Sequence, residues 1–267
     1  MEFVPDRFYL DNAAVFLQLV RILKADQEFR LALDFGKSCL QLESMLLSGV
    51  VGVGVQLVQG VGGIVRPSLL TRRDRVVLRV DSGALYQTVV ALNHVPYTFL
   101  SLGLTADDVG LCVSTYAADH VVLGTGTVQT LDLAEQDMDF LVTADALQLH
   151  YPLCLEYPGH TFKKYLSTGT IDTVLHYRPL SRSMTWVTSN QQTRIELYMT
   201  VSSQCQDEVR ICLLPAVTGL VQQFLQVAAQ LPTQFALSND LPVRLWIPLD
   251  LHGSFIRVYA GTKDDLA

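Results

Sequence analysis

Glu208-Val-Arg-Ile-Cys-Leu-Leu-Pro215, continuing through the apolar positions Leu220, Val221, Phe224, Leu225, Val227, Ala228 and Leu231, decides the fold. Val209 to Leu213 is a short apolar run suited to a strand. Pro215 stands where a first-turn proline is tolerated, because its missing N–H would be unpaired there anyway. The apolar residues that follow recur at helical spacing, with Gln222, Gln223, Gln226 and Gln230 off the stripe, and Pro232 is expected to end the helix. Phe235 to Leu237, Val243 to Pro248 and Phe255 to Tyr259 then read as strands, separated by the turn residues Asn239-Asp240 and His252-Gly253. The stretch is a strand, a helix and three strands.

The same order recurs upstream. Phe3 to Leu10 predicts a strand. Asp11 or Asn12 caps a helix carrying Val15, Phe16, Leu19, Val20, Ile22 and Leu23, and strands follow at Phe29 to Leu33, Cys39 to Leu42 and Val50 to Val58. A second pass starts at Arg75 to Val80. Asp81 or Ser82 caps its helix, and its strands are Tyr97 to Leu102, Val109 to Thr115 and Val121 to Leu123. Leu123-Gly-Thr-Gly-Thr-Val128 opens a polar stretch where Asp132, Glu135, Asp137, Asp139 and Asp145 cluster. A third pass runs from Leu147 to Met199, with a short helix from Pro158-Gly159 to Leu166. The expectation is an α+β chain of four β-α-β-β-β units. They are grouped two and two, as residues 1–128 and 147–267 around a connector at 129–146.

Composition bounds the function. The 267 residues suffice for two ordinary domains, and 49% are hydrophobic, so most of the chain should fold. Charged residues are 17%, a low share that points to surface covered by partners. The net charge of −7 excludes a protein coated with phosphate-binding cations, though not one with a local basic face. Cys39, Cys112, Cys154, Cys205 and Cys212 are scattered without a C-x-x-C pair, and read as buried thiols of a reducing compartment. Met1-Glu-Phe-Val-Pro-Asp6 lacks the basic start and apolar run of a secretory signal. Val50 to Val65 is too short and glycine-rich to span a membrane, so a soluble intracellular protein is expected.

The repeated pattern resembles the sliding-clamp family, the ring proteins typified by proliferating cell nuclear antigen. Residues 12–58 are similar to its opening helix, strands and glycine turn, with Cys39-Leu-Gln-Leu-Glu-Ser-Met45 at the family's apolar run ending in Ser-Met. Leu241-Pro-Val-Arg-Leu-Trp246 and Gly253-Ser-Phe-Ile-Arg-Val-Tyr-Ala-Gly-Thr-Lys263 are similar to its closing strands and tail. Leu46-Leu-Ser-Gly-Val50 stands where replicative members carry Asp-Ser-Ser-His-Val, and Ala260-Gly-Thr-Lys263 stands where they carry Ala-Pro-Lys. These departures favour a diverged paralogue, such as a Rad-one-type subunit of the heterotrimeric DNA-damage checkpoint clamp. The alternative is a homotrimeric replicative processivity clamp.

The resemblance implies a nuclear, non-enzymatic ring without cofactor or metal, with helices on the inner face and antiparallel sheets outside. Duplex DNA passes through without sequence reading. Its partners are other clamp subunits, a clamp loader, and polymerases or repair and checkpoint factors docking through short peptides, with no membrane involved. Arg21 and Lys24, three apart on the first helix, and His160, Lys163 and Lys164 on the third are the expected DNA-facing residues. The resemblance implies a peptide pocket at Met45, Leu131, Leu133, Pro242, Tyr259 and Ala260. Subunits would join through edge strands, with Val109 to Thr115 and Met184 to Val187 as candidates.

Other chemistries find less in the sequence. His94, His120, His150, His160, His176 and His252 show no metal-ligand spacing, and there is no G-x-S-x-G elbow. Gly49 to Gly63 lacks the lysine and serine of a phosphate loop. Asp137-Met-Asp139 could seed a two-metal nuclease, a further alternative, and a β-rich coat or adhesion module would explain the strands but not four helices at matching places.

Overall fold

The computed structural model describes residues 6–11, 13–59, 65–68, 73–94, 96–105, 110–132, 149–166, 171–189 and 194–262. The elements are β1 (Arg7–Leu10), α1 (Ala13–Leu23), β2 (Glu28–Asp34), β3 (Cys39–Leu46), β4 (Val51–Val58) and β5 (Val65–Pro67). Next come β6 (Arg75–Asp81), α2 (Ser82–Leu92), β7 (Phe99–Leu104), β8 (Gly110–Tyr116) and β9 (Val122–Asp132). Then follow β10 (Leu153–Pro158), α3 (Gly159–Tyr165), β11 (Thr173–Arg178), β12 (Ser183–Ser189) and β13 (Arg194–Thr200). The chain closes with β14 (Val209–Leu213), α4 (Pro215–Val227), β15 (Pro232–Leu237), β16 (Val243–Pro248) and β17 (Phe255–Ala260). The protein is α+β with mostly antiparallel sheet. In chain order, a strand, a helix and three strands recur, and β5 alone falls outside that order.

Contacts divide the chain into two units. The first comprises Met1–Met45, Gly54–Ala144 and Asp250–Phe255, and the second Leu46–Val53, Asp145–Leu249 and Ile256–Ala267. In the first, neighbouring strands run β3-β2-β6-β9-β8-β7-β1-β5. β1 pairs with β7 (Phe8 opposite Leu102) and β2 pairs with β6 (Leu31 opposite Leu78). In the second, β10 pairs with β15 (Leu155 opposite Phe235) and β11 with β14 (Leu175 opposite Ile211). Both units therefore follow one rule. The strand before each helix pairs with the strand after the other helix.

Side chains reinforce these crossings. Arg7 of β1 is buried, and its guanidinium donates to Ser101 Oγ at 3.1 Å, Ser114 Oγ at 3.1 Å and Tyr116 Oη at 3.0 Å. A buried cation is tolerable only with such hydrogen bonds, and these tie β1 to β7 and β8. In the second unit Phe162 of α3 lies 5.2 Å from Phe235 of β15, and Trp186 of β12 lies 5.8 Å from the same ring. α1 packs beside α2, and α3 beside α4.

Local chemistry explains the helix starts. Asp81 takes extended backbone before α2 and accepts from the Ala84 N–H at 2.6 Å, satisfying one first-turn donor. Pro215 occupies the first turn of α4. Asp11 instead receives the Arg66 guanidinium of β5 at 2.7 Å, and Asn12 lies outside the described residues.

Several expectations are corrected. The Gly-Thr-Gly-Thr run is not the opening of a loop but the middle of β9, an eleven-residue strand reaching Asp132 inside the expected connector. Gly124 and Gly126 are required by α2 above them. A Cβ there would come within 2.9 Å of Leu92 Cδ2 and 2.5 Å of Thr88 Cγ2. α4 ends at Val227 rather than Leu231, and Pro232 opens β15, where a first-residue proline removes no needed ladder bond. The expected edge strands are interior: β8 lies between β7 and β9, and β12 between β11 and β13. The terminal strands are β13 and β14 of the four-stranded sheet and β10 and β5 of the larger one, and residues 122–129 of β9 pair with β8 alone.

Gly126→Val should overpack the α2–β9 contact and lower unfolding free energy by about 1–3 kcal/mol. Gly219, helical in α4 with open space around its missing Cβ, provides the opposite case, since Gly219→Ala should raise it by up to about 1 kcal/mol. Urea unfolding midpoints of both variants check this pair, and equal shifts would refute the account of β9.

Candidate functional site

The expected DNA-facing cations sit on two of the helices. On α1 the buried stripe is Phe16, Leu19, Val20, Ile22 and Leu23, which turns Ala14, Gln18 and Arg21 to solvent. Lys24 follows one residue after the helix, and its ammonium lies 4.3 Å from the centre of the Tyr86 ring on α2. That cation–π contact orients the lysine while leaving it exposed. On α3, Phe162 is buried and Lys163 and Lys164 are exposed. His160 is half-buried, its Nδ1 3.0 Å from the Ala229 carbonyl.

The other two helices differ. α2 turns Gln87, Val90 and Ala91 outward, and α4 turns Ala216, Gln223 and Gln226 outward. In each unit one helix offers two cations close together and its packed neighbour offers none. Two neighbouring exposed cations of this kind can meet phosphates electrostatically.

The residues expected for a peptide pocket are distributed as follows. In the first unit Met45 is exposed at 42%, a large apolar side chain open to solvent. Leu131 stands opposite Arg79 in the β9–β6 pairing, and Leu133 lies outside the described residues. In the second unit Pro242 and Tyr259 are half-buried, whereas Ala260 is fully buried in β17. The Pro242 carbonyl accepts from the Tyr151 hydroxyl at 2.8 Å. Burial pushes the Tyr151 phenol up to about 12, opposed by Arg244, which lies 4.8 Å from the ring centre.

Among the described residues no three His, Cys, Asp or Glu side chains are grouped to hold a metal, and Asp137 and Asp139 lie outside them. No helix of the described residues is long and apolar enough to cross a membrane. Cys39 is buried, and burial raises its thiol to about 11. Sequence reasoning missed a cluster of arginines on the solvent face of the second unit's four-stranded sheet: Arg178, Arg194 and Arg210. Its signal was the alternation His176, Arg178 and Arg194, Glu196, Tyr198, which places each set on one face of a strand. No family model matches the chain, and no curated protein matches it.

Because the folded-state pKa of Tyr151 is raised, its contribution is intact below pH 10 and fades as pH rises towards 12. Tyr151→Phe should cost about 0.5–1.5 kcal/mol at neutral pH by removing the bond to Pro242. It should also flatten the alkaline part of the stability profile. An unchanged profile measured by urea unfolding between pH 8 and 12 would refute this assignment.

Proposed function

We propose that the chain is a protomer of a DNA sliding clamp, a ring that encloses duplex DNA and tethers other proteins to it. The observation that carries this reading is the crossed pairing of two strand-helix-strands repeats within each unit, made twice along one chain. That internal symmetry supports a ring assembled from similar building blocks whose helices line the opening and whose sheets form the outside. Arg21, Lys24, His160, Lys163 and Lys164 face the phosphates in this arrangement. The protein performs no chemistry, because enclosure rather than tight binding keeps it on DNA.

The finer reading is a subunit of a heterotrimeric checkpoint clamp in the nucleus. It is supported by the neutral outer faces of α2 and α4, which leave part of the lining's charge to other subunits. A clamp loader opens the ring, and polymerases, repair factors or checkpoint factors dock through short peptides near residues 129–146, with Met45, Leu131, Leu133, Pro242, Tyr259 and Ala260 around the pocket. A homotrimeric replicative clamp is the second reading. It is favoured by the two apolar edges on one chain, Val122 and Leu123 of β9 and Ile195 and Leu197 of β13. Two different edges on one subunit can join head to tail and close a ring.

The test is topological. Chain assembled with its partners and incubated with loader-containing extract should stay on nicked circular DNA at high salt and slide off once the circle is cut. Retention that ignores linearisation would contradict enclosure. Lys163→Glu combined with Lys164→Glu should reduce loading severalfold and flatten its salt dependence by roughly two units of log–log slope per protomer, while assembly is unchanged.

A further inference from the structure

The solvent face of the β13-β12-β11-β14 sheet carries a groove of 380 Å³ with a charge pattern that the clamp reading does not use. Strand register lays out its floor. Arg210 stands opposite His176, His176 opposite Thr185, and Thr185 opposite Tyr198, one row crossing all four strands. At about 4.8 Å per strand the row spans roughly 14 Å. The adjacent row is Val174 opposite Val187, and Val187 opposite Glu196, an apolar strip with a carboxylate at its end. On the other side Arg178 stands opposite Ser183.

The charges in this groove are unequally satisfied. Glu196 is held by Arg194 at 2.5 Å and by the Tyr198 hydroxyl. The Tyr198 bond and then Arg194 keep its carboxyl below the usual range. His176 is bound to Glu208. Arg178 also attracts the Glu196 carboxylate at longer range, but neither its guanidinium nor that of Arg210, both exposed, has a hydrogen-bond or close ion-pair partner among the described residues. Between the two strands that carry His176 and Tyr198, Thr185 lines the groove at 4% exposure, and its buried Oγ1 has no hydrogen-bond partner. A buried hydroxyl left unpaired is costly unless something bonds it.

We infer that this groove binds an extended acidic protein segment, with carboxylates two residues apart on Arg178 and Arg210 and a further polar atom at Thr185. Spacing and charge both select this occupant. Arg210 is opposite His176, so Arg178 is its diagonal neighbour, about 7–8 Å away. Residues i and i+2 of an extended peptide lie on one face about 6.6–6.8 Å apart. Val174 and Val187, in the row beyond Arg210, give the continuing peptide backbone an apolar bed. A nucleic acid fits less well, because Glu196 and Glu208 flank the arginines and would oppose a continuous line of phosphates. The side chains involved stand on the sheet face, so main-chain pairing at the β13 edge does not compete with them.

The experiment uses the full chain and a fluorescein-labelled peptide alternating four glutamates with serines, read by anisotropy. Binding should saturate, weaken with salt, and drop about tenfold in Arg178→Ala and in Arg210→Ala. Thr185→Val, which keeps the shape and loses the hydroxyl, should weaken it a few-fold. A peptide with the same glutamates in one block should bind several-fold less tightly. Circular dichroism and melting temperature of the arginine variants should match the wild type, since both residues are exposed. The proposal is overturned if the alternating peptide does not bind or if the arginine variants bind it unchanged. It is equally overturned if a single-stranded oligonucleotide of equal charge binds better through the same arginines.

Discussion

The structure rests on an exchange of strands between repeats. A strand, a helix and three strands cannot close their own sheet, because the strand before the helix finds its partner in the neighbouring repeat. β1 with β7 and β2 with β6 are one reciprocal pair of such bonds, and β10 with β15 and β11 with β14 are the other. Neither repeat of a unit can hold its first strand alone, so each unit should fold as a pair of repeats. The Arg7 guanidinium deepens that dependence in the first unit. Its three hydroxyl partners all come from the second repeat, and without them a buried cation would be left uncompensated. In the second unit the Phe162, Trp186 and Phe235 rings do the same work by burial of apolar surface.

This arrangement also explains what the helices can offer. Each buries one face against the sheet and the neighbouring helix, so only an outer strip is free for function. On α1 and α3 the strip carries cations, and on α2 and α4 it carries glutamine, valine and alanine. For a protein that grips by affinity, two cations per helix pair would be a poor design. In the proposed ring they would be enough, because enclosure would prevent escape and strong phosphate contacts would impede sliding.

Much of the element order was legible in the sequence because apolar period changes between strand and helix are local signals. The caps at Asp81 and Pro215 were equally local. What could not be read was set by distant contacts. Gly124 and Gly126 carry a loop-like local signal, and the reason for glycine there is the approach of Leu92 and Thr88 of α2. The edges of the sheets depend on which strands meet, and strands as far apart as β1 and β7 meet only in the fold. For the candidate sites, Arg21, Lys24, Lys163 and Lys164 were readable from spacing on a helix. Arg178, Arg194 and Arg210 were not, since strand register alone brings three residues sixteen positions apart onto one face.

The most direct measurement of the ring account is the native mass of the assembly containing this chain, isolated from its own cells under mild conditions. A three-subunit particle is predicted, either three copies of the 29.6 kDa chain or one copy with two others of similar size. A particle of one or two subunits, stable at the concentrations found in the cell and on DNA, would contradict it.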